Sequence, residues 1–168
     1  MDIYKKPQLG DIYISSNING LCRVKIGSST EKEEKWLKDN FGKVKIHFDM
    51  GKNHIYITQL DEYFNGSRTK FDLPMNLVGT EFQKSVWNVL KDIPYGKTLS
   101  YKEVAIKVGK PKAARAIGQA NNRNPISIII PCHRVIGADG SLTGYGGGMD
   151  AKRYLLELES KYLKDAKS

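Results

Sequence analysis

The sequence predicts an α+β protein of two units, one over residues 1–77 and one over residues 78–168. Period-two alternation of apolar and polar residues is concentrated in the first third of the chain. Helix-opening motifs of the form Ser/Thr-x-x-Glu/Gln occur at 30–33, 80–83 and 100–103. Two short helices across a glycine-containing turn follow in the second half, the pattern of a helix-turn-helix.

Each element follows from local chemistry. Ile12 and Ile14, then Val24 and Ile26, alternate with polar residues, and Ser16-Asn17-Ile18-Asn19-Gly20 supplies a turn between two strands. Thr30 and Glu33 form a capping box that opens a helix with Trp36, Leu37 and Phe41 on its apolar side, ended by Gly42. Val44, Ile46 and Phe48 alternate again and read as another strand. Leu60, Tyr63 and Phe64 fall at helical spacing from Ile57 onward, closed by Asn65-Gly66. The stretch 71–79 reads as an extended linker. Thr80 and Gln83 open a helix carrying Phe82, Val86 and Leu90, which breaks at Ile93-Pro94-Tyr95-Gly96. Ser100 and Glu103 open a short helix through Val104 and Val108, Gly109-Lys110-Pro111 turns the chain, and a helix runs from Lys112 to about Asn122. A short strand is expected to end at Cys132, and a last helix starts near Asp150 with Leu155, Leu156 and Leu158.

Composition narrows the function classes. No apolar run approaches the roughly 18 residues of a membrane span, and the N-terminus lacks the apolar core of a secretory signal. Two cysteines, Cys22 and Cys132, do not make a disulfide framework. The expected compartment is therefore the reducing cytosol. The chain carries 27 basic and 18 acidic side chains, net +9, unevenly spread: residues 1–77 are net +2 and residues 78–168 net +7. An excess of this size favours a polyanionic partner such as nucleic acid, although a basic surface also serves solubility alone.

The chemistry concentrates in Ile128-Ile129-Ile130-Pro131-Cys132-His133-Arg134-Val135. Neighbouring cations or imidazole lower a thiol's pKa, and the thiolate is the nucleophile. A cysteine after an apolar run is also a common core residue. The helix just before it has a small-residue surface, Ala113, Ala114, Ala116 and Gly118, with Arg115 among them. Helix packing accounts for alanines, whereas a long cationic side chain among them suits phosphate or base contact. The glycine-rich stretch after Gly137 lacks the Lys-Ser/Thr of a phosphate-binding loop. Glu159, a helical glutamate next to Leu158, reads as a solvated surface residue.

Pro131-Cys132-His133-Arg134-Val135 resembles the active-site motif of the O6-alkylguanine-DNA alkyltransferases (methylated-DNA–protein-cysteine methyltransferases). Tyr95-Gly96, Ser100-Tyr101, Ala113-Ala114-Arg115-Ala116, Asn124-Pro125 and Tyr145 with Gly147-Gly148 follow the family's order and spacing, over about residues 57–160. The resemblance implies an N-terminal three-stranded antiparallel sheet with a helix (ribonuclease-H-like) and a C-terminal helical unit with a winged-helix-like helix-turn-helix. It implies that Cys132 accepts the alkyl group, that His133 (through a water) and Glu159 relay the proton, and that Tyr101 donates a hydrogen bond to the guanine. Asn124 orders the site, Tyr145 walls the pocket with Gly146 and Val135, and Arg115 replaces the extruded nucleotide. Ala113, Ala114, Ala116, Gly118 and Gln119 enter the minor groove, with Ser100 beside them.

The implied substrate is double-stranded DNA carrying O6-alkylguanine, repaired once per molecule by a monomer without a cofactor. Some members hold a zinc ion in the N-terminal unit; Cys22, His47 and His54 are spaced unlike those sites, so no metal is expected. Gly146 stands where many members have serine, which leaves that serine's hydrogen bond to the base unassigned, and Gln119 is bulkier than the glycine of some relatives. A non-catalytic lesion binder would lack Cys132, and a Cys-His hydrolase would have no use for Arg115.

Overall fold

A computed structural model describes residues 1–167; Ser168, the last residue of the expected second unit, lies outside them. Strands β1 (Asp2–Lys6), β2 (Gly10–Asn17) and β3 (Gly20–Ile26) form an antiparallel sheet in the order β1-β2-β3. Ile12 lies opposite Tyr4 and Ile26, and Ile14 opposite Asp2 and Val24. Alternate strand residues share a face, so these isoleucines and Val24 enter the main core while Tyr13 faces a second, smaller cluster with Met1 and Leu37; Cys22 joins that cluster because a bulge opposite Ser15 and Ser16 breaks the alternation on β3. Gly20, at φ 125°, closes the β2–β3 hairpin; a Cβ there would meet the Pro74 carbonyl oxygen at 2.5 Å.

The third strand is β1, not residues 44–48. The outer edge of β3 is already met by Met75 and Ile126 in parallel bridges. Residues 44–48 run as irregular chain, Val44 and Ile46 pack on the smaller cluster, and the Met1 ammonium donates to the His47 carbonyl at 2.7 Å. Helix α1 (Thr30–Phe41) is capped by Ser29 and not by Thr30, because the buried Glu33 is taken by Arg23 at 2.7 Å and by Ser28 at 2.6 Å. Helix α2 (Met50–Phe64) starts seven residues before the expected Ile57; Asp49 caps it by accepting from the Gly51 amide. Its first turn contains Gly51 and Asn53, weak helix formers that hide the start. The linker is docked and not free: the Leu21 amide donates to Pro74 O and the Asn76 amide to Leu21 O, both at 2.8 Å.

The second half holds α3 (Glu81–Lys91), β4 (Leu99–Ser100), α4 (Tyr101–Lys107), α5 (Ala114–Asn122), β5 (Val135–Ile136) and α6 (Met149–Asp165). Both halves of the capping boxes at Thr80/Gln83 and Ser100/Glu103 are formed. Helices α4 and α5 make the helix-turn-helix. α5 starts at Ala114, later than the expected Lys112, and has no side-chain cap. The Trp87 indole N–H donates to the Ala120 carbonyl at 2.9 Å, fixing α5 on α3. Parallel pairing of Leu99 with Val135 ties the start of the helix-turn-helix to the chain just after Cys132.

The segment before Cys132 is not the expected strand. The Ile130 amide bonds to Ile126 O and that of Ile129 to Ser127 O, so the chain coils. Ile128 adopts φ 73°, an unfavourable left-handed conformation for a β-branched residue. A fully buried apolar run looks the same in sequence whether it is strand or coil. One hydrophobic core joins Ile12 and Leu60 from the first half to Trp87, Ile117, Ile130 and Leu155 from the second.

Candidate active site and nucleic-acid interface

Glu159 on α6 is completely buried, against its reading as a surface residue from local sequence. Four groups converge on its carboxylate. The Tyr63 hydroxyl of α2 donates to Oε1 at 2.7 Å, and the Gly96 amide to Oε2 at 3.1 Å. Arg134 donates from Nη2 to Oε1 at 2.9 Å and from Nε to Oε2 at 3.0 Å, and His133 Nε2 sits 2.6 Å from Oε1. Burial alone would raise the carboxyl's pKa, but His133 and Arg134 outweigh it and hold it well below the usual carboxylate range. Arg134 also donates to Ile93 O at 2.7 Å and lies over the Tyr95 ring.

An ionised carboxylate only accepts hydrogen bonds. His133 Nε2 must therefore carry the proton of its 2.6 Å contact. Burial lowers the His133 pKa, partly offset by Glu159, so the ring is neutral at pH 7. Its Nδ1 is then a bare lone pair, buried and without a protein hydrogen-bond partner. The arrangement leaves a proton acceptor one residue from the thiol.

Cys132 opens a single 3-10 turn, Cys132–Arg134, and is 3% exposed. Its carbonyl accepts from Asn121 Nδ2 at 3.2 Å. The expectation that His133 and Arg134 would lower the thiol's pKa needs correction. Arg134 is committed to Glu159, and burial pushes the thiol up; Asn124, Lys152 and Lys25 draw it back down in part. Asn124 Nδ2 donates to Ile130 O at 2.8 Å and its Oδ1 accepts from the Ile126 amide, which holds the coil before Cys132. Tyr145 is buried, with its hydroxyl close to Ser127 and Cys132 but closing no hydrogen bond of good geometry. Val135 is buried in β5, and Gly146 is exposed.

Two lysines fasten the loop that carries Tyr145. The fully buried Lys152 donates from Nζ to Val135 O at 2.5 Å and to Thr143 O at 3.0 Å. Lys25, from β3, donates to Gly146 O at 2.9 Å. Tyr101 donates its hydroxyl to Thr143 O at 2.8 Å, so it must leave that carbonyl before serving a base. On the helix-turn-helix, Ala114, Arg115 and Gln119 are exposed, Ala113, Ala116 and Gly118 half-buried, and Ser100 is the N-cap of α4. Gly118 lies beside the Tyr101 ring; a Cβ there would stand 3.7 Å from it.

Tyr63, Asn121, Lys25 and Lys152 escaped sequence reasoning, as did Arg134 as the partner of Glu159. Lys152 reads in the sequence as an ordinary exposed helical lysine, since lysine is almost never fully buried, and its burial shows only in the structure. The others belong to elements far away in sequence.

A buried thiol beside a carboxylate-held neutral histidine, next to a helix-turn-helix, defines a thiol-nucleophile protein with a nucleic-acid-binding fold. The sequence profile of the 6-O-methylguanine DNA methyltransferase DNA binding domain matches residues 81–161, and that of the same proteins' ribonuclease-like domain matches residues 3–77. The methylated-DNA–protein-cysteine methyltransferase of Methanosarcina barkeri is 47% identical over 97% of this chain and 98% of its own length. Among solved structures, Mycobacterium tuberculosis OGT in complex with DNA is 42% identical with a TM-score of 0.80, covering 96% of this chain and 92% of that one. The O6-methylguanine DNA methyltransferase of Methanococcus jannaschii is 32% identical with a TM-score of 0.66, over 94% and 92%. The chain belongs to the methylated-DNA–protein-cysteine methyltransferase family.

Proposed function

We propose that the protein repairs DNA by drawing O6-alkylguanine, chiefly O6-methylguanine, out of the duplex and moving the alkyl group irreversibly to Cys132. The observation that carries this reading is the buried, unpartnered Nδ1 of His133, whose other nitrogen is committed to Glu159. Through a water, Nδ1 takes the Cys132 proton. The thiolate attacks the alkyl carbon, the S–C bond forms, and the C–O6 bond breaks with its electron pair going to the guanine. Tyr101, released from Thr143 O, offsets the charge building on the ring, and a proton finally restores neutral guanine. Asn124 keeps the coil before the thiol in place, and Tyr145, Gly146 and Val135 wall the nucleotide.

A base inside a duplex cannot present its O6 substituent to a sulfur that is 3% exposed, so extrusion is required. Arg115 fills the gap left in the stack. The low profile of Ala113, Ala114, Ala116 and Gly118 admits α5 to the minor groove, where Gln119 and Ser100 also meet DNA. Each molecule acts once, because a thioether at saturated carbon offers no leaving group that water can displace. We assign these roles to two units, 1–77 and 78–168, of one monomer working in the cytosol without cofactor or metal. Sedimentation with and without DNA tests the stoichiometry.

Incubation with excess duplex carrying a labelled O6-methyl group, followed by peptide mass spectrometry, tests the chemistry. One methyl per chain on Cys132 is expected. Sustained turnover, or label on Cys22, refutes the reading.

A further inference from the structure

On the sheet face turned away from the main core, a cavity of about 580 Å³ opens among β2, α1, residues 44–49 and the start of α2. Its volume is in the range of small-molecule sites. Met1, Leu37, Phe41, Val44, Ile46 and Tyr56 give it an apolar wall, and Cys22, its thiol pushed up to about 11 by burial, adds a neutral surface. Two features distinguish it from a gap in packing. Ser15 shares the Tyr13 face of β2, lines the cavity and is 2% exposed, yet its hydroxyl oxygen has no hydrogen-bond partner. Buried hydroxyls are nearly always satisfied, so this one lacks a partner the cavity is able to admit. Lys45 and Lys52 also line it, and neither forms an ion pair among the described residues. The one acidic side chain in the lining, Asp49, is occupied in capping α2.

We propose that this cavity is a binding site for a small amphipathic carboxylate, with its hydrocarbon on the apolar wall, an oxygen accepting from Ser15 and its charge facing Lys45 and Lys52. The site is separate from Cys132, which lies in the core on the other face of the sheet. Calorimetric titration of the full chain with decanoate tests it, with decylamine as the cation of matched length. Saturable one-to-one binding of decanoate, at least about tenfold tighter than decylamine, is expected. Ser15→Ala should weaken it several-fold. The double variant Lys45→Glu, Lys52→Glu should weaken it about tenfold or more, with transfer from methylated duplex retained as the check on folding. Absence of saturable binding, equal binding of decylamine, or unchanged affinity in the lysine double variant overturns the proposal.

Discussion

Arg134 and His133 keep Glu159 ionised at every pH the cell meets, so the titration that matters at the site is that of His133. Both groups have folded pKa values below their unfolded ones. Each therefore stabilises the fold above the unfolded pKa, about 6.5 for histidine and about 4.3 for glutamate, and loses that contribution as pH falls through the folded value. Urea unfolding midpoints should drop between pH 7 and pH 5, and His133→Gln should flatten that drop. An unchanged slope would mean that His133 binds protons alike in the folded and unfolded chains. Lys25 invites a second test. Its ammonium holds Gly146 O at 2.9 Å and draws the Cys132 pKa down. Lys25→Met should shift the pH midpoint of Cys132 alkylation by iodoacetamide upward, and Lys25→Arg should restore it. Cys22→Ser in the background removes the other thiol.

At the scale of elements, α5 carries most of the residues proposed to meet DNA. Gly118→Ala places a methyl in ordinary contact with the Tyr101 ring. Folding stability should rise by up to about 1 kcal/mol through helix propensity, while duplex affinity, measured by fluorescence anisotropy, falls because the backbone is held off the groove. Arg115→Ala should slow repair of duplex DNA at least about tenfold and leave the rate on free O6-methylguanine base within about twofold. Equal losses would make Arg115 a structural residue. The capping boxes of α3 and α4 were legible in the sequence because their bonds link residues three apart. The alternation at 44–48 misled because pairing depends on which sheet edge is vacant, and a remote segment decides that. Tertiary bonds were silent for the same reason: Glu159 meets partners 25, 26, 63 and 96 residues away. Its place in the site could be reached from family resemblance, and not from its neighbours on α6.

Across the whole molecule, charge and core are distributed differently. The core is common to both halves, whereas the second half carries net +7 of the total +9. Binding of Cys132→Ser to methylated and unmodified duplexes should weaken steeply with salt, log K falling linearly against log salt, and should depend little on flanking sequence. A flat salt response would remove phosphate neutralisation from the account. The bridges on β3 have a bearing on how the chain is made. Its outer edge is met near Leu21 by residues 74–76 and near Val24 by residues 125–127. On a ribosome the first cover arrives some fifty residues after the strand, the second about a hundred. Meanwhile the nascent sheet presents bare amides and carbonyls to any other chain nearby, a condition that invites intermolecular pairing. Lys25 lies on β3 itself, and its charge would repel the same lysine of a second copy during that interval. The lysine that later holds the Tyr145 loop would thus act earlier, as a guard against misassembly before Cys132 has even been synthesised.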